Sequence, residues 1–82
     1  MKKVFVNGYG SIGSRIIQFI KDDPEIEVVG VGKYSPDSKV NDAIEKGFKV
    51  YVPEKNQNAF SDFSISGNIE SALDESDLVI DA

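Results

Sequence analysis

Eighty-two residues and 9.0 kDa hold one small domain with a single core, which excludes a multi-domain enzyme within this chain. Nine cations against fourteen anions leave a net charge of −5, which argues against a general nucleic-acid or anionic-membrane binder. With neither Cys nor His, the chain has no disulfide, no thiolate nucleophile and no ordinary neutral-pH base.

All nine cations lie in residues 1 to 55, whereas residues 56 to 82 hold six anions and no cation, so an anionic ligand is expected in the first part. No apolar run approaches the roughly 20 residues of a membrane span, and Met1-Lys2-Lys3 leads into no cleavable leader, so a cytoplasmic location is expected. Val4, Phe5 and Val6 form a β-favouring run ended by Asn7-Gly8, which predicts a buried strand over about residues 2 to 7. From Ser11, the residues Ile12, Ile16, Ile17, Phe19 and Ile20 recur at helical spacing until Asp22-Asp23-Pro24 stops them. Ile26, Val28, Val29 and Val31 then give a second strand, and the whole is a βαβ unit of the expected length.

Ser35-Pro36-Asp37 predicts a helix start with Pro36 near the first helical position, followed by the stripe Val40, Ala43 and Ile44 up to Gly47. Phe48, Val50 and Val52 alternate with Lys49 and Tyr51 as a third strand that Pro53 ends. Residues 54 to 68 are polar and fit a short helix or a loop equally. Ile69, Ala72 and Leu73 mark one or two helical turns, and Leu78-Val79-Ile80 a fourth buried strand. The expected fold class is α/β: a Rossmann-like βαβαβ(α)β parallel sheet in three layers, a partial doubly wound fold. Such a sheet covers its last strand with a further helix, so the chain is expected to be the first part of a longer domain.

Gly8-Tyr9-Gly10-Ser11-Ile12-Gly13 matches G-x-G-x-x-G between an apolar strand and an amphipathic helix, the setting in which the pattern binds a dinucleotide. Gly8 permits the turn, Gly10 lets backbone approach a pyrophosphate, and Gly13 lets helix pack on sheet, while the helix N-terminus supplies donors and partial positive charge. The competing reading is a glycine turn without ligand. About 20 residues further on, where an acid would accept from a ribose 2′-hydroxyl, the chain reads Gly32-Lys33. With no acid read at that place to repel a 2′-phosphate, Lys33 and Ser35 favour NADP over NAD, NAD remaining possible, and Tyr34 is placed against the adenine. Arg15 fits a pyrophosphate cation and a solvated helix cation equally. Glu70, Asp74, Glu75 and Asp77 have the spacing of a wet helix face rather than a metal site, and Phe60, Phe63 and Ile65 read as packing residues rather than a nucleic-acid stacking surface.

Val6 to Gly13 with Arg15, Val28 to Lys33 with Ser35-Pro36, Gly47-Phe48 leading to Tyr51-Val52-Pro53, and Ser76 to Asp81 together give a resemblance. The chain resembles, end to end, the amino-terminal nucleotide-binding part of the archaeal-type phosphorylating glyceraldehyde-3-phosphate dehydrogenases. At two positions it carries Ser14 and Tyr34 where that family often has a lysine and a small hydroxyl residue. The resemblance implies that Gly8, Gly10, Ser11, Ile12 and Gly13 hold the cofactor pyrophosphate and that Lys33 with Ser35 meets the 2′-phosphate of NADP. It also implies a homo-tetrameric parent enzyme in which a cysteine attacks the aldehyde, hydride passes to the nicotinamide, and phosphate releases an acyl phosphate. No catalytic residue is carried over onto these 82 positions, so the chain alone is expected to bind nucleotide without turning over substrate. The alternatives are a dehydrogenase or reductase of the homoserine dehydrogenase or dihydrodipicolinate reductase type, a stand-alone NAD(P)-sensing module, and a Rossmann-like fragment that binds nothing.

Overall fold

The computed structural model describes residues 1–82 and is an α/β domain built on one five-stranded, all-parallel sheet. Strand β1 (Lys2–Asn7) leads into helix α1 (Ser11–Ile20), β2 (Ile26–Gly32), α2 (Ser38–Glu45) and β3 (Val50–Val52). A 3-10 helix (Glu54–Phe60), the two-residue β4 (Gly67–Asn68), α3 (Ile69–Glu75) and β5 (Leu78–Asp81) complete it. The strand order is β4-β3-β2-β1-β5, so the chain builds outward in one direction from β1 and then returns to pair β5 on β1's other side. That reversal is a topological switch point, the place where open α/β sheets bind ligands beyond the carboxyl ends of their strands. The fold is therefore Rossmann-like.

Two apolar clusters flank the inner strands, as expected for strands buried on both faces, whereas β5, expected to be buried, is an edge strand that leaves Leu78 and Val79 exposed. On the face covered by α1 and α2, Val6, Tyr9, Ile17, Val31, Val40, Ala43, Val50, Val52 and Phe60 form the larger core. On the other face, under α3, Phe5, Val29, Tyr51, Ile69 and Ala72 form a smaller one, with the Phe5 and Tyr51 rings edge to face at 5.8 Å. Phe60 is fully buried and its ring lies 6.1 Å from that of Phe63, so these aromatics are packing residues, as the sequence indicates. No buried side-chain polar atom lacks a partner. No helix is long and apolar enough to cross a membrane.

Several elements depart from the sequence-based expectations. The sheet has five strands rather than four, because Gly67 and Asn68 pair with Tyr51 and Val52 through main chain alone, and Ser66 N–H donates to the Val50 carbonyl at 2.8 Å. A pairing that needs no side chain leaves no hydrophobic pattern. The polar stretch after Pro53 is a 3-10 helix that delivers Phe60 to the core. Helix α2 begins at Ser38, not at Pro36, because Asp37 is its N-cap and accepts the Lys39 N–H at 3.0 Å. The third strand begins at Val50, two residues later than Phe48. On α1 only Ile17 among the apolar residues is fully buried, and Phe19 is 89% exposed.

Candidate functional site

The site is built where β1 ends. Gly8 has φ +127°, a region that side-chain-bearing residues rarely adopt, and its N–H bonds back to the Val6 carbonyl at 3.1 Å. The chain thus turns sharply into Gly10, the N-cap of α1, which has extended backbone and no side-chain cap. Ser14 N–H donates to the Gly10 carbonyl at 3.0 Å and closes the first helical turn. The N–H groups of Ser11, Ile12 and Gly13, one turn earlier, have no acceptor within the helix, and no acidic residue lies in that turn to neutralise them. They form a cluster of free donors at the positive end of a ten-residue helix.

The glycines of this turn have separable causes. A Cβ on Gly13 would stand 1.8 Å from the Gly8 carbonyl oxygen, so Gly13 is required by the close contact of helix and turn. A Cβ on Gly8 would stand 2.4 Å from the Ala82 carbonyl oxygen, which adds a steric reason to the conformational one. A Cβ on Gly10 would meet nothing within 4 Å. Nothing inside the protein calls for glycine there; the open space in front of it does if something else must come close.

Tyr9, between these glycines, points the other way: it is buried in the larger core, and its hydroxyl donates to Asp42 Oδ2 at 2.7 Å. Burial first, then the hydrogen bond and the negative charge of Asp42, push the Tyr9 phenol well above its ordinary range. Asp42 is held below the usual carboxylate value by that bond and by Lys46 at 3.3 Å. The motif thereby pins α1's entry to α2.

The second group of expected site residues sits at the end of β2. Lys33 is only 7% exposed, the one buried charged side chain, and its N–H donates to the Tyr51 carbonyl at 2.9 Å. Its ammonium lies 2.9 Å from Asp37 Oδ1. Here the reading that no acid stands near this position is corrected: the cap of α2 folds back on the strand end and brings a carboxylate onto Lys33. The hydrogen bond from Lys33 is the main cause that holds the Asp37 carboxyl below its ordinary value. Ser35 is exposed, and its carbonyl accepts the Asp37 N–H at 2.9 Å. Tyr34 is half exposed, and its hydroxyl donates to Asn7 Oδ1 at 2.8 Å.

Asn7 is a site residue that sequence reasoning missed. Its Oδ1 accepts from Tyr34 while its Nδ2 donates to Asp81 Oδ1 at 2.9 Å, so one side chain ties together the ends of β1, β2 and β5. A polar residue closing an apolar strand, just before the glycines, was the signal. Arg15 is brought elsewhere: it borders a depression on the flank of α1 with Ser14, Gln18, Phe19 and Lys46, none of them among the glycines or the β2-end residues.

No family model matches the chain. Glyceraldehyde-3-phosphate dehydrogenase of Sulfolobus acidocaldarius is 40% identical over 82 residues, 98% of this chain and 24% of the relative. The enzyme of the same name from Sulfurisphaera tokodaii is 42% identical over 96% of this chain, and that of Methanothermobacter thermautotrophicus is 41% identical over all of it. The chain spans about a quarter of the length of the curated relatives it matches. Along nearly its whole length, the chain is thus similar to about one quarter of the length of each of these archaeal glyceraldehyde-3-phosphate dehydrogenases.

Proposed function

We propose that residues 1–82 are the first part of the NAD(P)-binding domain of a glyceraldehyde-3-phosphate dehydrogenase, and that their share of the activity is to bind the nicotinamide dinucleotide. The observation that carries this reading is the space in front of Gly10, faced by the free N–H groups of Ser11, Ile12 and Gly13 at a switch point of the sheet. These residues fit a pyrophosphate: donors without acceptors, positive helix end, no Cβ in the way, no acid in the first turn. The similarity to the archaeal enzymes supports the same assignment.

In this reading Gly8 shapes the turn, and the backbone from Gly10 to Gly13 binds the pyrophosphate. Lys33 and Ser35 meet the 2′-phosphate of NADP, which is preferred over NAD, and Tyr34 flanks the adenine. When bound, the dinucleotide supplies the hydride acceptor for aldehyde oxidation. These residues bind and orient it; the chain holds no cysteine or histidine to act on the aldehyde. The parent enzyme would act in the cytoplasm as a homo-tetramer.

Calorimetric titration of the folded chain with NADPH and NADH at low salt tests the proposal. Saturable binding of both, tighter for NADPH, is the expected result. A chain with the circular dichroism of a folded α/β domain that takes up neither nucleotide would refute it.

A further inference from the structure

The pairing at the end of β2 reaches beyond nucleotide binding itself. Lys33 is only 7% exposed, and its only ionic partner is Asp37, at 2.9 Å. The Asp37 carboxylate is half exposed and already fixed, because the same Oδ1 caps α2 by accepting from Lys39 N–H at 3.0 Å. The cation that faces the adenosine end is therefore not free: a phosphate approaching it also meets the carboxylate that neutralises it. A neutral ribose hydroxyl meets no such opposition.

We infer that Asp37 is a specificity-determining residue, an acid that masks the charge of Lys33 and so holds back discrimination in favour of the 2′-phosphate of NADP(H) over NAD(H). The inference rests on the reading that Lys33 faces the 2′ position. Asp37 acts through Lys33 and is a positioning residue as well as a charge, since it orders the turn from β2 into α2.

Asp37→Asn tests this, because Asn caps a helix as well as Asp does and keeps an oxygen that can accept from the Lys33 ammonium; circular dichroism and urea unfolding check that the variant is folded. Asp37→Ser, another good cap without charge, is the companion variant. Binding of NADPH and NADH to the 82-residue chain is measured by calorimetry for the wild type, both variants, Lys33→Gln and the double variant Lys33→Gln/Asp37→Asn. With one half-exposed charge removed beside a dianionic phosphate, NADPH should bind about three- to tenfold tighter to both Asp37 variants, and NADH should change less than about twofold. In the Lys33→Gln background the Asp37 change should lose most of its effect, as expected for two groups that act through each other.

If Lys33→Gln lowers the NADPH to NADH affinity ratio but Asp37→Asn and Asp37→Ser leave it unchanged, the inference fails while the reading of Lys33 stands. Equal tightening of both nucleotides, or the full effect persisting without Lys33, also overturns it. If Lys33→Gln leaves the ratio unchanged, or neither nucleotide binds the folded wild type, the underlying assignment fails and takes the inference with it.

Discussion

Replacing Gly10 and Gly13 separately by alanine should split stability from binding. At Gly13 the new methyl would stand 1.8 Å from the Gly8 carbonyl oxygen and 2.8 Å from its carbonyl carbon. An ordinary carbon–oxygen contact is about 3.3 Å or longer, so α1 and the turn must separate by about 1.5 Å, and the obstacle is backbone on both sides. Overpacking of this kind costs about 3 kcal/mol, at the upper end of the usual range, from a domain whose whole stability is about 4 to 12 kcal/mol. At Gly10 the methyl meets nothing within 4 Å, and the cost is the poorer cap, about 0.5 to 1 kcal/mol. Urea unfolding followed by circular dichroism separates the two: with a slope of about 1 kcal/mol per molar, Gly13→Ala should lose about 3 M of midpoint and Gly10→Ala less than about 1 M. Titration of the folded variants should show the reverse order, with Gly10→Ala losing nucleotide affinity because its methyl fills the approach. Equal stability of the two variants would refute the packing argument, and wild-type affinity in Gly10→Ala would refute the pyrophosphate assignment.

Tyr9→Phe should cost about 1 kcal/mol for its lost hydrogen bond, measured by urea unfolding at pH 7. Because the folded state raises the Tyr9 phenol above its ordinary value of 10.0, the stability it contributes is complete below pH 10 and declines as pH rises beyond it, so the variant should show a flatter alkaline limb. Asp37 and Asp42 are lowered in the folded state, so their contribution is complete above their ordinary value of 3.8 and is lost as pH falls through the folded values. Asp42→Asn together with Asp37→Asn should flatten the midpoint-versus-pH curve in that acid window, and an unchanged curve would reject both pairings. Phe60→Ala, at a fully buried site, should cost about 3 to 5 kcal/mol and bring the chain near unfolding at 37 °C, seen as a fall in thermal midpoint.

What could be read before the structure was known follows the strength of each local signal. β1, α1 and β2 declare themselves because Val4 to Val6, Ile16-Ile17 and Val28 to Val31 carry strong periodicity and are bounded by Asn-Gly and Asp-Pro breaks. The glycine turn was legible for the same reason, since its meaning comes from the strand before it and the helix after it. β4 was not, because its two residues are held by backbone pairing to β3. Asp37 was missed by two residues of helix phase: once it caps α2 rather than following a proline inside it, its carboxylate lies one turn of chain from Lys33. Asn7 spans residues 74 positions apart, a contact for which no local pattern exists.

That last contact also sets an order of events. The glycine turn is written within the first thirteen residues, yet the residues that hem it in are Asp81, bonded to Asn7, and Ala82, whose N–H bonds the Asn7 carbonyl at 3.2 Å and whose carbonyl oxygen blocks any side chain at Gly8. Closing a loop of 74 residues costs about 4 kcal/mol in chain entropy beyond a constant, so this join is among the slow, non-local steps of folding. On the ribosome the binding turn would emerge early and remain unfinished until β5 docks beside β1. The glycine turn is complete only once the strand 74 residues downstream has docked beside β1.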